Sequence, residues 1–210
     1  GYERRFNWAF CVADEEEFIR LVLAGQPDPP KYFGAMKRIN KQGPRVLGGL
    51  PKPVPAEPQT VVDLLDRGEP VIDTRTATEY ATGHIPGTIN IPFNASFVTW
   101  AGWLVDASEF YLIVDAATAG ARLGELAREL ALIGIDRISG YFDPSAMTVN
   151  ASIAQVTNTD LAAKLRDVVV VDVRSGNEWN NGHLPGALHI PLGYLADRVG
   201  DIPADRPVVV

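Results

Sequence analysis

The sequence predicts an α/β protein with central parallel sheets flanked by helices, on three observations. Val71-Ile72 and Val168–Val171 are short apolar runs rich in β-branched residues, the composition of strands buried on both faces. Gly120–Ile133 has helical spacing, with Leu123, Leu126, Leu130 and Ile133 on one face. The third observation is a repeat. Val71–Pro92 reads VIDTRTATEYATGHIPGTINIP and Val170–Pro191 reads VVDVRSGNEWNNGHLPGALHIP, 99 residues further on and without a gap, so the core of one domain is written twice.

Residues 1–43 belong to neither copy. The apolar stretch Trp8–Val12 reads as a strand, which would bury Cys11 as an inert thiol. Asp14 followed by Glu17 predicts a capping box, opening a helix whose apolar face is Phe18, Leu21 and Val22 and which ends at Gly25. Pro27–Pro30 interrupts the chain. Pro30 suits the first turn of a second helix carrying Phe33, Met36 and Ile39 and stopping near Gly43. Helices this short cannot bury a core of their own, so they are expected to dock on something larger.

Pro44, Pro51, Pro53, Pro55 and Pro58 make residues 44–58 a stiff linker. The first unit is placed at 59–147. In it, a helix over Val61–Asp66 feeds the Val71 strand, Thr76 caps a short helix that Gly83 stops, and Pro86-Gly87 turns the chain into Ile89–Ile91. Tyr111–Val114 reads as a later buried strand and Ile135–Ser139 as a final edge strand. The connection Asp143–Ser152 leads to the second unit, 151–210, with a helix over Asp160–Leu165, then Val168–Val171, Ser175, Gly182, Pro185-Gly186 and Leu188–Ile190 in the same order. The sequence opens without a methionine and closes on Pro207–Val210, which reads as a central strand, so an excerpt of a longer polypeptide is expected.

Net charge is −7 with no Lys/Arg cluster, which argues against nucleic acid and anionic membrane as partners. No apolar run is long enough to span a bilayer as a helix. A single cysteine excludes an internal disulfide and fits a reducing, cytoplasmic setting. Asp73 with Arg75, and Asp172 with Arg174, are spaced to brace the repeated turn by charge-assisted hydrogen bonds. His84 and His183 lie in that turn and His189 just beyond it, and none has metal-ligand spacing. With no nucleophile or metal set beside them, these charged and imidazole side chains read as structural.

The motif Asp-x-Arg, Glu-[Tyr/Trp], Gly-His-[Ile/Leu]-Pro-Gly and Ile-Pro resembles the rhodanese (sulfurtransferase) domain, here as one unit and the first part of a second. The resemblance implies a parallel sheet whose later central strand delivers a cysteine in a Cys-x-x-Gly-x-Arg loop, where sulfur is carried as a persulfide. In the first unit Gly120 and Arg122 fall on that glycine and arginine, which puts Ala117 in the cysteine slot. A shift of one residue finds Ala116 or Thr118, never a cysteine. Alanine has no nucleophilic atom, so this unit is expected to be catalytically dead, with Asp115 an acid beside a loop that should favour anions. In the second unit the cysteine is expected just after Val210.

GYERRFNWAF and DEEEFIRLVLAGQPDPPKYFGAMKRINKQGP resemble the C-terminal end of a metallo-β-lactamase fold. They are most similar to the glyoxalase II and persulfide dioxygenase branch fused to rhodanese domains. That branch carries a His-x-His-x-Asp-His metal motif, absent from this sequence, so a metal (iron or zinc) is expected only upstream of Gly1. The resemblance implies persulfide chemistry in sulfide detoxification, with glutathione persulfide or another low-molecular-weight persulfide as substrate. A simple thiosulfate sulfurtransferase is the second expectation. A non-catalytic scaffold for homo-oligomerisation or partner docking is the third.

Overall fold

The computed structural model describes residues 1–24, 26, 29–105, 109–148 and 151–210. It begins with helices α1 (Tyr2–Phe6), α2 (Glu15–Leu23) and α3 (Tyr32–Gln42). Asp14 caps α2 by accepting from the Glu17 N–H at 2.8 Å. The reciprocal arm of the expected capping box is missing, because the Glu17 carboxylate is taken by Arg20 at 2.6 Å. Phe18 and Val22 stay exposed, so the expected apolar face of α2 is uncovered; Gly25 and Pro27 lie outside the described residues. The second helix starts after Pro30, whose carbonyl accepts from Phe33 N, and it does dock. Tyr32 and Met36 pack on the core of the first unit, and Ile39 reaches Gly134.

The stretch read as a linker is partly sheet. Val54–Pro55 forms β1, an edge strand, which is where a residue without an N–H is tolerated. Then follow α4 (Thr60–Asp66), β2 (Val71–Asp73), α5 (Ala77–Thr82), β3 (Ile89–Asn90), α6 (Phe97–Leu104), β4 (Phe110–Ile113), α7 (Ala116–Leu132) and β5 (Ile138–Phe142). The strands order as β1-β5-β4-β2-β3, every pair parallel. The last strand is therefore neither at Ile135–Ser139 nor at an edge. Ile133 and Ile135 instead close α7. Gly134 takes φ 81°, Gly134 N–H donates to Ala131 and Ile135 N–H to Leu130, and this helix stop displaces the strand.

Successive side chains alternate across the sheet. Ile72, Phe110, Leu112 and Val114 pack with Phe97, Leu126 and Leu130 on one face. Val71, Ile113 and Phe142 pack with Val61 and Leu64 on the other. Helices on both faces of a parallel sheet are the α/β architecture expected.

The second unit repeats the plan with α8 (Asn158–Lys164), β6 (Val169–Asp172), α9 (Gly176–Asn180), β7 (Leu188–His189), α10 (Leu192–Arg198) and β8 (Val208–Val209). Its strands order as β7-β6-β8, again parallel, over a small core of Val169, Val171 and Ile190. The units touch. Trp103 of α6 meets Tyr194 of α10 edge-on, with ring centroids 5.3 Å apart at 70°. Lys31 pairs with Asp197 at 2.6 Å. The backbone of Ala151 bridges His84. Among the described residues no helix is long and apolar enough to cross a membrane.

Candidate functional site

Both copies of the repeated turn are built from the same bonds. In the first, Arg75 Nε and Nη2 donate to the two Asp73 carboxylate oxygens at 3.0 and 2.6 Å, and Nη2 also reaches Gly83 O at 3.0 Å. In the second, Arg174 makes the same fork onto Asp172 at 2.9 and 2.5 Å and reaches Gly182 O at 2.9 Å. Thr76 with Glu79, and Ser175 with Glu178, close complete capping boxes at the next helix. Gly87 and Gly186 turn the chain at φ 90° and 84°, in the left-handed region that glycine enters without penalty. The fork holds the Arg75 guanidinium above its usual range. The hydrogen bond from Arg174 lowers the Asp172 carboxyl to about 2. The copies differ in depth: the Asp73 side chain is 0% exposed and Arg75 16%, against 11% and 45% for Asp172 and Arg174.

The histidines are committed to backbone. His84 Nδ1 lies 3.0 Å from Tyr80 O, His183 Nδ1 3.0 Å from Trp179 O, and His189 Nε2 2.9 Å from Arg174 O. His84 stacks on Tyr80, and Trp179 is sandwiched between His183 and His189. Where the second copy has His189 the first has Asn90, whose amide donates to the Asp73 and Arg75 carbonyls at 3.0 and 2.9 Å. These residues fix the turn.

The expected catalytic loop of the first unit is not a loop. β4 ends at Ile113, the Val114 N–H donates to Phe142 O, and Asp115 is the N-cap of the long helix α7. The Asp115 carboxylate accepts from Ala117 N at 2.8 Å, and Thr118 N and Oγ1 both bond to the Asp115 carbonyl. Ala117, Gly120 and Arg122 all lie on this helix, and Arg122 rests 5.7 Å from the Phe93 ring centroid. Val114 and then Asp115 follow the strand, and Asp115 stands two positions ahead of Ala117. The acid expected beside an anion-favouring loop uses the first-turn N–H itself. Gly120 is exposed, has no positive φ, and a Cβ there would meet nothing. Gly120→Ala is therefore expected to raise stability by about 0.5–1 kcal/mol; a higher urea midpoint with unchanged slope is the check.

Cys11 is exposed, contrary to the buried strand expected for it. Asn7 accepts from Ala9 N through its side chain and starts a 3-10 turn over Trp8–Phe10, which leaves Cys11 at its end with Sγ 3.6 Å from Asn7 O. Sequence reasoning also missed Trp100 and Trp103, which stand opposite the carboxyl edge of the second sheet. They lie outside the repeated motif, and their relation to α10 carries no local signal.

The profile of the rhodanese-like domain matches residues 57–141 and 157–210. The chain belongs to the rhodanese-like family. A metallo-β-lactamase from Staphylococcus aureus superposes with a TM-score of 0.55 at 34% identity, covering 68% of this chain and 38% of that one. An HTH-type transcriptional regulator of Mycobacterium tuberculosis is 28% identical over 71% of this chain and 64% of its own length. The thiosulfate sulfurtransferase of Shewanella oneidensis is 44% identical over 45 residues, 21% of this chain and 45% of the enzyme. The chain thus spans less than two thirds of each of these relatives.

Proposed function

We propose that this chain is the sulfur-handling part of a protein in which a metallo-β-lactamase-fold domain is fused to tandem rhodanese-like units. That protein acts on low-molecular-weight persulfides, glutathione persulfide among them, in sulfide detoxification. The first unit is a non-catalytic spacer and the second is the sulfur carrier. One observation carries the reading: at the carboxyl edge of the first sheet β4 runs straight into a capped helix, and Asp115, Ala117 and Thr118 offer no thiol there. The likeness to the staphylococcal metallo-β-lactamase supports the fusion.

The iron or zinc of such a protein belongs to the other domain. Among the described residues no group of three or more His, Cys, Asp or Glu side chains converges to hold a metal, so the residues present do not fit one. Sulfur transfer needs only thiol chemistry. A carrier thiolate attacks the terminal sulfur of RS–SH, the S–S bond breaks, RS⁻ leaves and takes up a proton, and the carrier holds the new persulfide.

The 210-residue chain is expected to show no thiosulfate:cyanide sulfurtransfer above background, whereas a polypeptide spanning the whole second unit turns over. Activity of the 210-residue chain that survives Cys11→Ser would overturn the non-catalytic assignment. A second reading, a plain thiosulfate sulfurtransferase, is favoured by the identity to the Shewanella enzyme over 45 residues. Oxygen uptake by the whole protein with glutathione persulfide separates the two.

A further inference from the structure

The second turn holds the one Asn-Gly pair in the sequence, Asn181-Gly182, where the first turn has Thr82-Gly83. An asparagine ahead of glycine cyclises readily, because the glycine nitrogen carries no neighbouring Cβ to obstruct its approach to the side-chain amide. Every other asparagine here precedes a residue with a side chain. A Cβ on Gly182 would meet nothing within 4 Å, so the peptide is uncrowded from outside as well. Asn181 and Gly182 are both exposed, whereas Gly83 is half-buried.

Hydrogen bonds hold the pair closed. Asn181 N–H donates to Asn177 O and Gly182 N–H to Trp179 O, each at 3.1 Å, which ties the glycine nitrogen to the end of α9. Asn181 keeps φ −77° and ψ −7°, and the imide ring cannot close until that ψ rotates. A helix of five residues opens at its end for little free energy. The restraint from outside it is Arg174 Nη2, which donates to Gly182 O at 2.9 Å. In the first turn Ala151 also bridges the next residue, His84, through both backbone groups. Among the described residues His183 has no such bridge.

We propose that Asn181 is a site of spontaneous covalent modification, conversion to aspartate and isoaspartate, and that the Arg174 fork sets its rate. The Gly182 nitrogen bonds to Asn181 Cγ, the Cγ–Nδ2 bond breaks, and ammonia leaves with the proton that the glycine nitrogen gives up. Water then adds to either carbonyl of the imide and breaks one ring C–N bond. Opening on one side gives aspartate and on the other isoaspartate, with no oxidant or reductant involved.

The product reaches beyond its own residue. Isoaspartate routes the main chain through the former side chain, which lengthens the path from Trp179 to Gly182 and moves Gly182 O away from Arg174. The same arginine holds Asp172 at the carboxyl end of β6, so a change at Asn181 loosens the turn that braces the second sheet. Thr82 gives the first unit no amide to cyclise, so the mark separates two copies that otherwise share their bonds. It follows from the turn alone, whether or not the second unit carries sulfur.

The test incubates the 210-residue chain in mildly alkaline buffer beside a synthetic peptide of residues 176–187, and follows each asparagine by mass spectrometry of digests. Conversion is expected first at Asn181, more slowly than in the peptide, with isoaspartate identified by protein isoaspartyl methyltransferase. Arg174→Ala should speed it roughly fivefold, the rise in the opened population expected from losing one hydrogen bond. Arg174→Lys, which cannot make the fork, serves if the alanine variant fails to fold by circular dichroism. Asn181→Thr, the residue of the first turn, should abolish it. Trypsin should cut after Arg174 sooner in the converted chain than in fresh chain, and equal cutting would mean that the fork survives the change. An unconverted Asn181 once the peptide has fully reacted overturns the site. A rate equal to the peptide's, or indifferent to both Arg174 variants, overturns the control by the fork.

Discussion

Arg75→Ala is expected to lower the unfolding free energy of the first unit by about 3–5 kcal/mol, because it strands a buried carboxylate without its partner. The Asp73 side chain is wholly buried, and Arg75 supplies both prongs of the fork along with the bond to Gly83 O. The surroundings cannot compensate. The remaining donor to Asp73 Oδ1 is the Arg75 backbone N–H, and the Asp73 side chain has no exposure to solvent. Arg75→Lys should recover little of the loss, since an ammonium group cannot make the bidentate fork and reach Gly83 as well. In the second unit the same three bonds are made by an arginine 45% exposed to solvent, so Arg174→Ala should cost far less. Urea denaturation of the two variants side by side reads the difference. Equal losses would mean that burial does not set the strength of this motif.

That contrast between identical motifs separates what the sequence could state from what it could not. The fork, the caps at Thr76 and Ser175, and the turns at Gly87 and Gly186 were all legible, because each is a bargain struck among residues a few positions apart. Their depth was not, since it depends on which strands lie alongside. The edge strand Val54–Pro55 shows the same limit. Two residues, one of them proline, have no periodicity, and what makes them a strand is parallel pairing with Gly140 and Tyr141 far along the chain. β5 was misplaced because Ile133 and Ile135 flank a glycine that ends α7, a helix stop that looks like a strand start when read locally. Cys11 was misjudged for a related reason. Its neighbours are apolar, but the Asn7 cap coils them into a turn that leaves Cys11 exposed.

The absence of a thiol after β4 is legible in the sequence, and the slot's position rests on spacing alone. Gly120 and Arg122 give a spacing that places the nucleophile slot at Ala117, whereas the backbone makes Asp115, two residues past the end of β4, the helix cap. Both positions are exposed, so a thiol can be put at either and its chemistry compared.

In a Cys11→Ser background, the Asp115→Cys thiol is expected to react with iodoacetamide roughly tenfold faster at pH 7 than the Ala117→Cys thiol. The first would sit at the N-cap of a long helix, facing the Ala117 N–H that its own substitution frees and the positive end of the helix dipole, both of which favour the thiolate. The second would keep that N–H tied to Asp115 and would have the carboxylate as a neighbour, which favours the neutral thiol. The advantage should be largest below about pH 8.5, the ordinary thiol value, and should fade above it as both groups ionise. Loss of the cap would cost about 1 kcal/mol, too little to unfold the unit. Should the Ala117→Cys thiol prove the faster, the glycine–arginine spacing marks the true slot, and the first-turn N–H groups of α7 can be released from Asp115 to an anion after all.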